Sequence, residues 1–219
     1  MAVDRVLEPE VMDNAEESET YANMDFLSVN TDFVDRLIRL GADKGHFLDI
    51  GTGPAQIPIL LAQKQPQIKI TAIDLSAEML KVAEREVQSA ALGRQIVLQM
   101  GDAKKLPFAD NHFDGIFSNS IIHHIPKPIQ VMREVKRVLK PNGLIFFRDL
   151  KRLDSVADID AIVNQYTKND TKDQRKLFRD SLFAALTIEE MAEIISSVGL
   201  EATVMSSSDR HWSIESNPK

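Results

Sequence analysis

Three aspartates stand where a chain alternating between strand and helix would present them to a ligand. Asp49 runs into Gly51-Thr52-Gly53, Asp74 closes the apolar segment Ile68 to Ile73, and Asp102 follows Ile96-Val97-Leu98 within Gly101-Asp102-Ala103. Paired glycines after a short apolar segment let backbone amides approach a ligand where a Cβ would collide. Nucleotide and dinucleotide folds share that device, so spacing must narrow the choice. A dinucleotide fingerprint wants glycine three places after Gly53, and Gln56 stands there. No Gly-Lys-Ser/Thr follows either, which excludes a Walker loop. Asp74 is placed to accept both hydroxyls of a ribose or to cap the following helix, a need that Ser76 already meets. Asp102 with the next backbone amide either reads an adenine edge or closes an Asx turn. Three acids at the carboxyl ends of successive strands favour a nucleoside ligand in the crevice of an open α/β sheet.

A second set of groups could handle protons or anchor a substrate. His123 and His124, in Ile121-Ile122-His123-His124-Ile125, titrate near neutrality and suit a base for a hydroxyl or amine, or else a packing role. No Asp or Glu stands at ligand spacing beside them, so no metal is expected. Arg148 and Asp149 end a later strand on the same side. Asp209, Arg210 and His211 occupy a loop that should reach the same edge. These three, with Arg148 and His123, are substrate candidates; an arginine there suits a carboxylate or phosphate. The alternative for the loop is a polar hairpin turn with Trp212 in the core.

The elements that must position these residues follow from hydrophobic period. Thr31 is read as the cap of a helix with Phe33, Val34, Leu37, Ile38 and Leu40 on its apolar stripe. Strands are expected at His46 to Ile50, Ile68 to Ile73, Ile96 to Leu98, Phe113 to Ser118 and Leu144 to Phe147. Helices are expected at Ile57 to Gln65, Ser76 to Leu92 and Val131 to Leu139, the last closed by a turn at Lys140-Pro141-Asn142-Gly143. Strands apolar on both faces and separated by helices imply a parallel, doubly wound sheet. After Leu150 two helices are expected, Asp154 to Asn169 and Thr171 to Ala184. A capping box at Thr187-Ile188-Glu189-Glu190 then opens a helix that Gly199 stops. Segments Glu201 to Met205 and His211 to Glu215, tightly connected, imply an antiparallel pair.

Composition limits the rest. The 219 residues include no cysteine, which removes disulfides, thiolate nucleophiles and cysteine-ligated zinc. A net charge of −7 makes nucleic acid a poor partner. The basic cluster Lys168, Lys172, Arg175, Lys176 and Arg179 alternates with Asp170, Asp173 and Asp180, as on a solvated helix face. Met1 to Glu19 is acidic and lacks an apolar core, so no secretory signal is expected, and no apolar run approaches the ~18 residues of a membrane span. A soluble, cytoplasmic protein is the expectation; its oligomeric state is open.

Five motifs then occur in one order: Phe47-Leu48-Asp49-Ile50-Gly51-Thr52-Gly53, Ile73-Asp74-Leu75-Ser76-Ala77-Glu78-Met79-Leu80, Gly101 to Phe108, Phe113 to Asn119, and Leu139 to Leu144. Together they resemble the class I S-adenosylmethionine-dependent methyltransferases, in the small-molecule branch that includes the ubiquinone and menaquinone enzymes. The resemblance covers roughly residues 31–150 and the terminal hairpin. It implies a Rossmann-like sheet of seven strands, one reversed, with S-adenosyl-L-methionine as cofactor and a small molecule as substrate. It further implies that Asp49, Gly51 and Gly53 lie along the methionine portion, that Asp74 takes the ribose and that Leu75 packs on the adenine, with Thr52, Met79 and Ser120 also binding the cofactor. Asp102 and Ala103 would meet the adenine edge, Asn119 would border the sulfonium, and His124 would hold the active-site position. Where many relatives have a third glycine this chain has Ala55, a better helix former by ~1 kcal/mol. Residues 1–30 are expected to form a lid with Tyr21 over the cofactor, residues 31–219 the catalytic domain, and residues 151–185 a helical cap where Tyr166 and Phe183 line the pocket. A non-catalytic cofactor-binding protein is the alternative. Amino-directed nucleic-acid methylation is disfavoured, because Ser118-Asn119-Ser120-Ile121 lacks the Asn/Asp-Pro-Pro-aromatic signature.

Overall fold

Alternation of strand and helix carries through the chain. The computed structural model describes residues 3–8, 14–22, 26–168 and 170–216. Asn23, Met24 and Asp25 of the expected lid, and Asn169 at an expected helix end, lie outside the described residues. Helices α1 (Ala15–Ala22) and α2 (Leu27–Arg39) precede β1 (Lys44–Ile50), α3 (Gln56–Lys64), β2 (Gln67–Asp74), α4 (Ala77–Ser89) and β3 (Ile96–Met100). Next come β4 (Phe113–Asn119), α5 (Pro128–Val138) and β5 (Leu139–Leu150). The chain continues through α6 (Val156–Tyr166), α7 (Lys172–Ala184) and α8 (Ile188–Val198) to β6 (Thr203–Ser206) and β7 (His211–Glu215).

The sheet runs β3-β2-β1-β4-β5-β7-β6. Its first five strands pair in parallel, whereas β7 lies antiparallel to both β5 and β6. This is the seven-stranded, doubly wound sheet with a reversed last strand that the pattern called for. Strand order changes direction between β1 and β4, and a crevice opens above the carboxyl ends there. One face is covered by α2, α3 and α4 through Phe33, Leu37, Leu61 and Ala83. On the other, α5 and α8 bring Val131, Val135, Met191 and Ile195 against Phe147 and the fully buried Trp212. Burying such side chains stabilises the layers by about 1.5–3 kcal/mol each. A third, smaller core under the cap joins Ile159, Val163 and Leu182 to Val3.

Local signals hold where capping chemistry decides. The Ser76 hydroxyl accepts from Met79 N at 3.1 Å, and Thr187 and Glu190 form the reciprocal capping box. Two expectations fail. Helix α2 starts at Leu27, so Thr31 sits inside it instead of capping it. The extra turn is held by buried Asn30, whose side chain donates to Gln56 Oε1 at 2.9 Å. The turn expected at Lys140–Gly143 lies within β5 as a bulge: Phe113 pairs Leu139 and Gly115 pairs Leu144, leaving four residues opposite Asp114.

Ala55 also departs from expectation. It is the residue before α3, with φ 61° in the left-handed region, not the first residue of a helix. Its methyl therefore opposes the backbone conformation, and the helix-propensity advantage does not apply. Ala55→Gly is expected to raise stability by about 0.5–1 kcal/mol, read as a higher thermal midpoint. An unchanged or lower midpoint would show that the buried methyl's packing outweighs the strain.

Candidate active site

The floor of the crevice is built from the end of β1. Gly51 N and Thr52 N both donate to Ile73 O at 2.9 Å, and Gly53 N donates to Asp74 Oδ2 at 2.8 Å. The loop amides, expected to meet a ligand, are instead spent on β2. What the glycines provide is room. A Cβ on Gly51 (φ +73°) would meet Ile121 Cγ2 at 2.2 Å, while one on Gly53 would find only Tyr21 Cε1, at 4.0 Å. Asp74 Oδ1 accepts from Ser76 N at 2.9 Å. Asp74 therefore fixes the start of α4, and that role still leaves each oxygen a second lone pair for other donors. Burial raises the Asp74 pKa, against three backbone donors that lower it. Asp49 is buried under the loop, and burial with the nearby Asp74 carboxylate pushes its pKa up to about 7.

Above this floor lies a cleft open to solvent. Eleven of the expected residues line it: Tyr21, Gly51, Gly53, Asp74, Leu75, Met79, Asp102, Ala103, Asn119, Ser120 and His124. Asp49 and Thr52 are buried beneath. Leu75 is 40% exposed, a large apolar side chain held out on the cleft wall. Asp102 does form the Asx turn, its Oδ1 accepting from Lys104 N at 2.8 Å and pairing with Lys104 Nζ at 3.1 Å. Helix α1 brings Tyr21 over Gly53, and Gln56, at the place of the missing glycine, donates to Ala22 O at 3.2 Å. Ile50, Ser76, Gly101, Lys104, Ile121 and Ile125 also line the cleft; of these, Ile121 and Ile125 carried no periodic signal that separated wall from core.

The two histidines divide in role on a single 3-10 turn, Ile122–His124. His124 faces the cleft, whereas His123 is buried and absent from the lining. His123 Nδ1 lies 2.5 Å from Asp149 Oδ1, and Asp149 also accepts from Ile122 N and Leu150 N. Burial works against a charge on His123, yet Asp149 and Glu8 outweigh it and raise the pKa. Asp149 shows the opposite balance: burial raises its pKa, and His123 with the backbone donors takes it below the usual carboxylate range. Glu8 overturns the expectation that no carboxylate stands by the pair. Its Oε1 lies 3.0 Å from His124 Nδ1 and 3.4 Å from His123 Nε2. Residues 3–8 are pinned there by Arg5, which donates to Ala184 O, His123 O and Ile125 O at 2.6–3.1 Å. A contact spanning more than a hundred residues has no signature in local spacing.

The remaining substrate candidates lie off the cleft. Arg148 donates to Asn119 Oδ1 and Val29 O, both at 3.1 Å, and covers the Phe33 ring; burial lowers its pKa to about 10. It positions Asn119 and α2. Asp209 accepts from the Tyr166 hydroxyl at 2.7 Å, and Arg210 stacks on the Tyr166 ring at 3.5 Å. His211 is carried to a pKa of about 4 by burial and by Arg210 and Arg148. These contacts latch the hairpin to α6. Tyr166 thus faces the hairpin and Phe183 the cap core, instead of the pocket.

Residues 48–147 match the family described as "Methyltransferase domain". A ubiquinone/menaquinone biosynthesis C-methyltransferase from Geotalea daltonii is 29% identical over 137 residues, 55% of this chain and 58% of that protein. The methyltransferase GfsG of Streptomyces halstedii is 35% identical over 113 residues, 51% of this chain and 40% of its own. The chain thus spans about half the length of such curated relatives. A solved structure from Methanococcus maripaludis, assigned to the S-adenosyl-L-methionine-dependent methyltransferases, shares the fold over 98% of both chains with a TM-score of 0.76 at 22% identity. Residues 48–147 are thus similar to a methyltransferase domain, and the chain as a whole shares the fold of that solved structure.

Proposed function

We propose that the chain transfers a methyl group from S-adenosylmethionine to a small molecule. The observation that carries this reading is Asp74. Its carboxylate is fixed by two backbone amides, and it stands beside the open face of Gly53 on the wall of the cleft. Two vicinal hydroxyls of a ribose match the lone pairs that remain. Leu75 and Ala103 supply apolar surface for adenine, and Asp102 retains Oδ2 for its amine. Asp49, below the loop, answers the charge of the methionine portion, and the ring of Tyr21 gives a π face over the same end. The cofactor supplies an electrophilic methyl group on a good leaving group, so the chain's work is alignment and exclusion of water. Asn119, Ser120 and Ile121 form the wall next to the acceptor. Where the acceptor carries a proton, its removal belongs to the His124 end of the cleft.

A small molecule suits this site better than nucleic acid. Of the basic side chains of α7, Lys176 pairs with Asp180 at 2.5 Å and Arg179 with Asp160 at 2.8 Å. Arg175 donates to Asn164. No helix among the described residues is long and apolar enough to cross a membrane. We place the activity in the cytoplasm on the same reading.

Formation of S-adenosylhomocysteine in the presence of candidate acceptors tests the activity. Tight binding of a nicotinamide dinucleotide with none of S-adenosylhomocysteine would sink the assignment. Asp74→Ala is expected to weaken S-adenosylhomocysteine binding about tenfold or more, measured by calorimetry; unchanged affinity would contradict the ribose contact. A pH dependence follows from Asp49. The free chain holds a proton on Asp49 below about pH 7, whereas an ammonium-bearing ligand favours the carboxylate. Binding at pH 6 should therefore release a proton, and affinity should rise with pH towards 7 and then level. Asp49→Asn should flatten that rise. A falling profile in the parent chain would contradict it.

A further inference from the structure

Glu8, His123 and His124 come together from two distant parts of the chain, and their nearest ligand atoms all lie within 4.8 Å of one another. Asp149 fixes the tautomer of His123. It already accepts two backbone N–H groups, so it is a carboxylate that takes the Nδ1 proton of His123 at 2.5 Å. Nε2 then turns a lone pair towards Glu8 Oε1 at 3.4 Å. His124 Nδ1, 3.0 Å from the same oxygen, is buried and has no hydrogen-bond partner of sound geometry among the described residues. A proton on one of the two ring nitrogens, or a cation, must therefore lie between the imidazoles and the Glu8 carboxylate.

A proton serves this arrangement poorly. On His123 Nε2 it would span 3.4 Å, against about 2.7–2.9 Å for a charged N–H···O⁻ bond; on His124 Nδ1 it would lie 3.0 Å from Glu8 Oε1 without sound hydrogen-bond geometry. A tetrahedral ion with bonds of about 2.0–2.1 Å sets its ligands about 3.3 Å apart. The separations of 3.0 and 3.4 Å bracket that value. Histidine nitrogen bound to metal is regularly oriented by a carboxylate on its other nitrogen, and Asp149 stands there. The Ser181 hydroxyl, donating to both oxygens of Glu8 at 3.1 and 3.2 Å, orients the third ligand in the same way.

We propose that Glu8, His123 Nε2 and His124 Nδ1 form a three-ligand site for a divalent transition ion, with zinc the best match to two imidazoles and a carboxylate. The only side of the trio that reaches the cleft is His124, 34% exposed, while the side chains of His123 and Glu8 are 5% and 10% exposed. A fourth position open to the cleft would take an oxygen of the acceptor, and an ion there lowers the pKa of a bound hydroxyl. This extension to an oxygen acceptor rests on the methyl-transfer reading; the ion site itself does not.

Titration of the full, chelator-stripped chain with Zn²⁺, without methyl donor, tests the site. The expected result is one saturable zinc per chain, weakened about tenfold or more by Glu8→Gln and by His124→Ala, and about 10–100-fold by Asp149→Asn. Thermal midpoints of the metal-free variants guard against misfolding. Should Asp149→Asn unfold, the two partly exposed ligand positions decide. Absence of a saturable site, or equal affinity in Glu8→Gln and His124→Ala, overturns the proposal. S-adenosylhomocysteine binding by Glu8→Gln is expected within about twofold of the parent, so loss of zinc with retained nucleoside binding separates the two claims.

Discussion

The carboxylate of Asp74 is the constraint on which the site depends. It ends β2, holds Gly53 N at 2.8 Å and Ser76 N at 2.9 Å, and so joins the glycine loop to the start of α4. Hydrogen bonds to an ionised group contribute more than neutral ones, about 1.5–3 kcal/mol each. The loop keeps its shape because β2 takes its amides: Ile73 O receives both Gly51 N and Thr52 N. A cleft preorganised in this way presents lone pairs and apolar walls, with little left to rearrange on binding. The half-buried position of Asp74 raises its pKa, and a ribose with two O–H donors would favour its charged form.

A second junction, at Asp149, ties the opposite end of the cleft to the rest of the molecule. Strand β5 delivers Asp149 to the 3-10 turn that carries the histidines, and the N-terminal residues reach the same turn through Arg5 and Glu8. The same N-terminal segment lies against α7, where Val6 N donates to Phe183 O at 3.1 Å. Helix α7, the N-terminal segment and the histidine turn therefore form one connected unit. Arg148, next to Asp149, fastens Asn119 to α2. The histidine turn and Asn119 are thus fixed by adjacent residues of one strand.

Most of the fold was legible because hydrophobic period and capping chemistry are local. Ser76, Thr187 and Gly199 act as their types predict, and the reversed β7 follows from the short connection before it. The lining of the cleft was legible for a related reason: Asp74 and Asp102 sit at or just past strand ends that the pattern already located, with Asp49 buried beneath. What stayed hidden depends on contacts far apart in sequence. Glu8 meets His123 and His124 only after the N-terminal segment crosses the cap. Thr31 resembled a cap, but buried Asn30 bonds Gln56 and the helix starts earlier. The helix-propensity argument at Ala55 failed because φ, not residue type, decides there. Arg210 and Asp209 drew attention as substrate anchors, whereas Tyr166 on α6 engages both.

The central claim is that the cleft above β1, β2 and β4 holds the nucleoside of the methyl donor. A crystal structure of the chain with S-adenosylhomocysteine tests it most directly. The account predicts both ribose hydroxyls on the Asp74 carboxylate, adenine between Leu75 and Ala103 with its amine at Asp102, and the sulfur beside Asn119. Nucleoside density elsewhere, or a ribose turned away from Asp74, would contradict it.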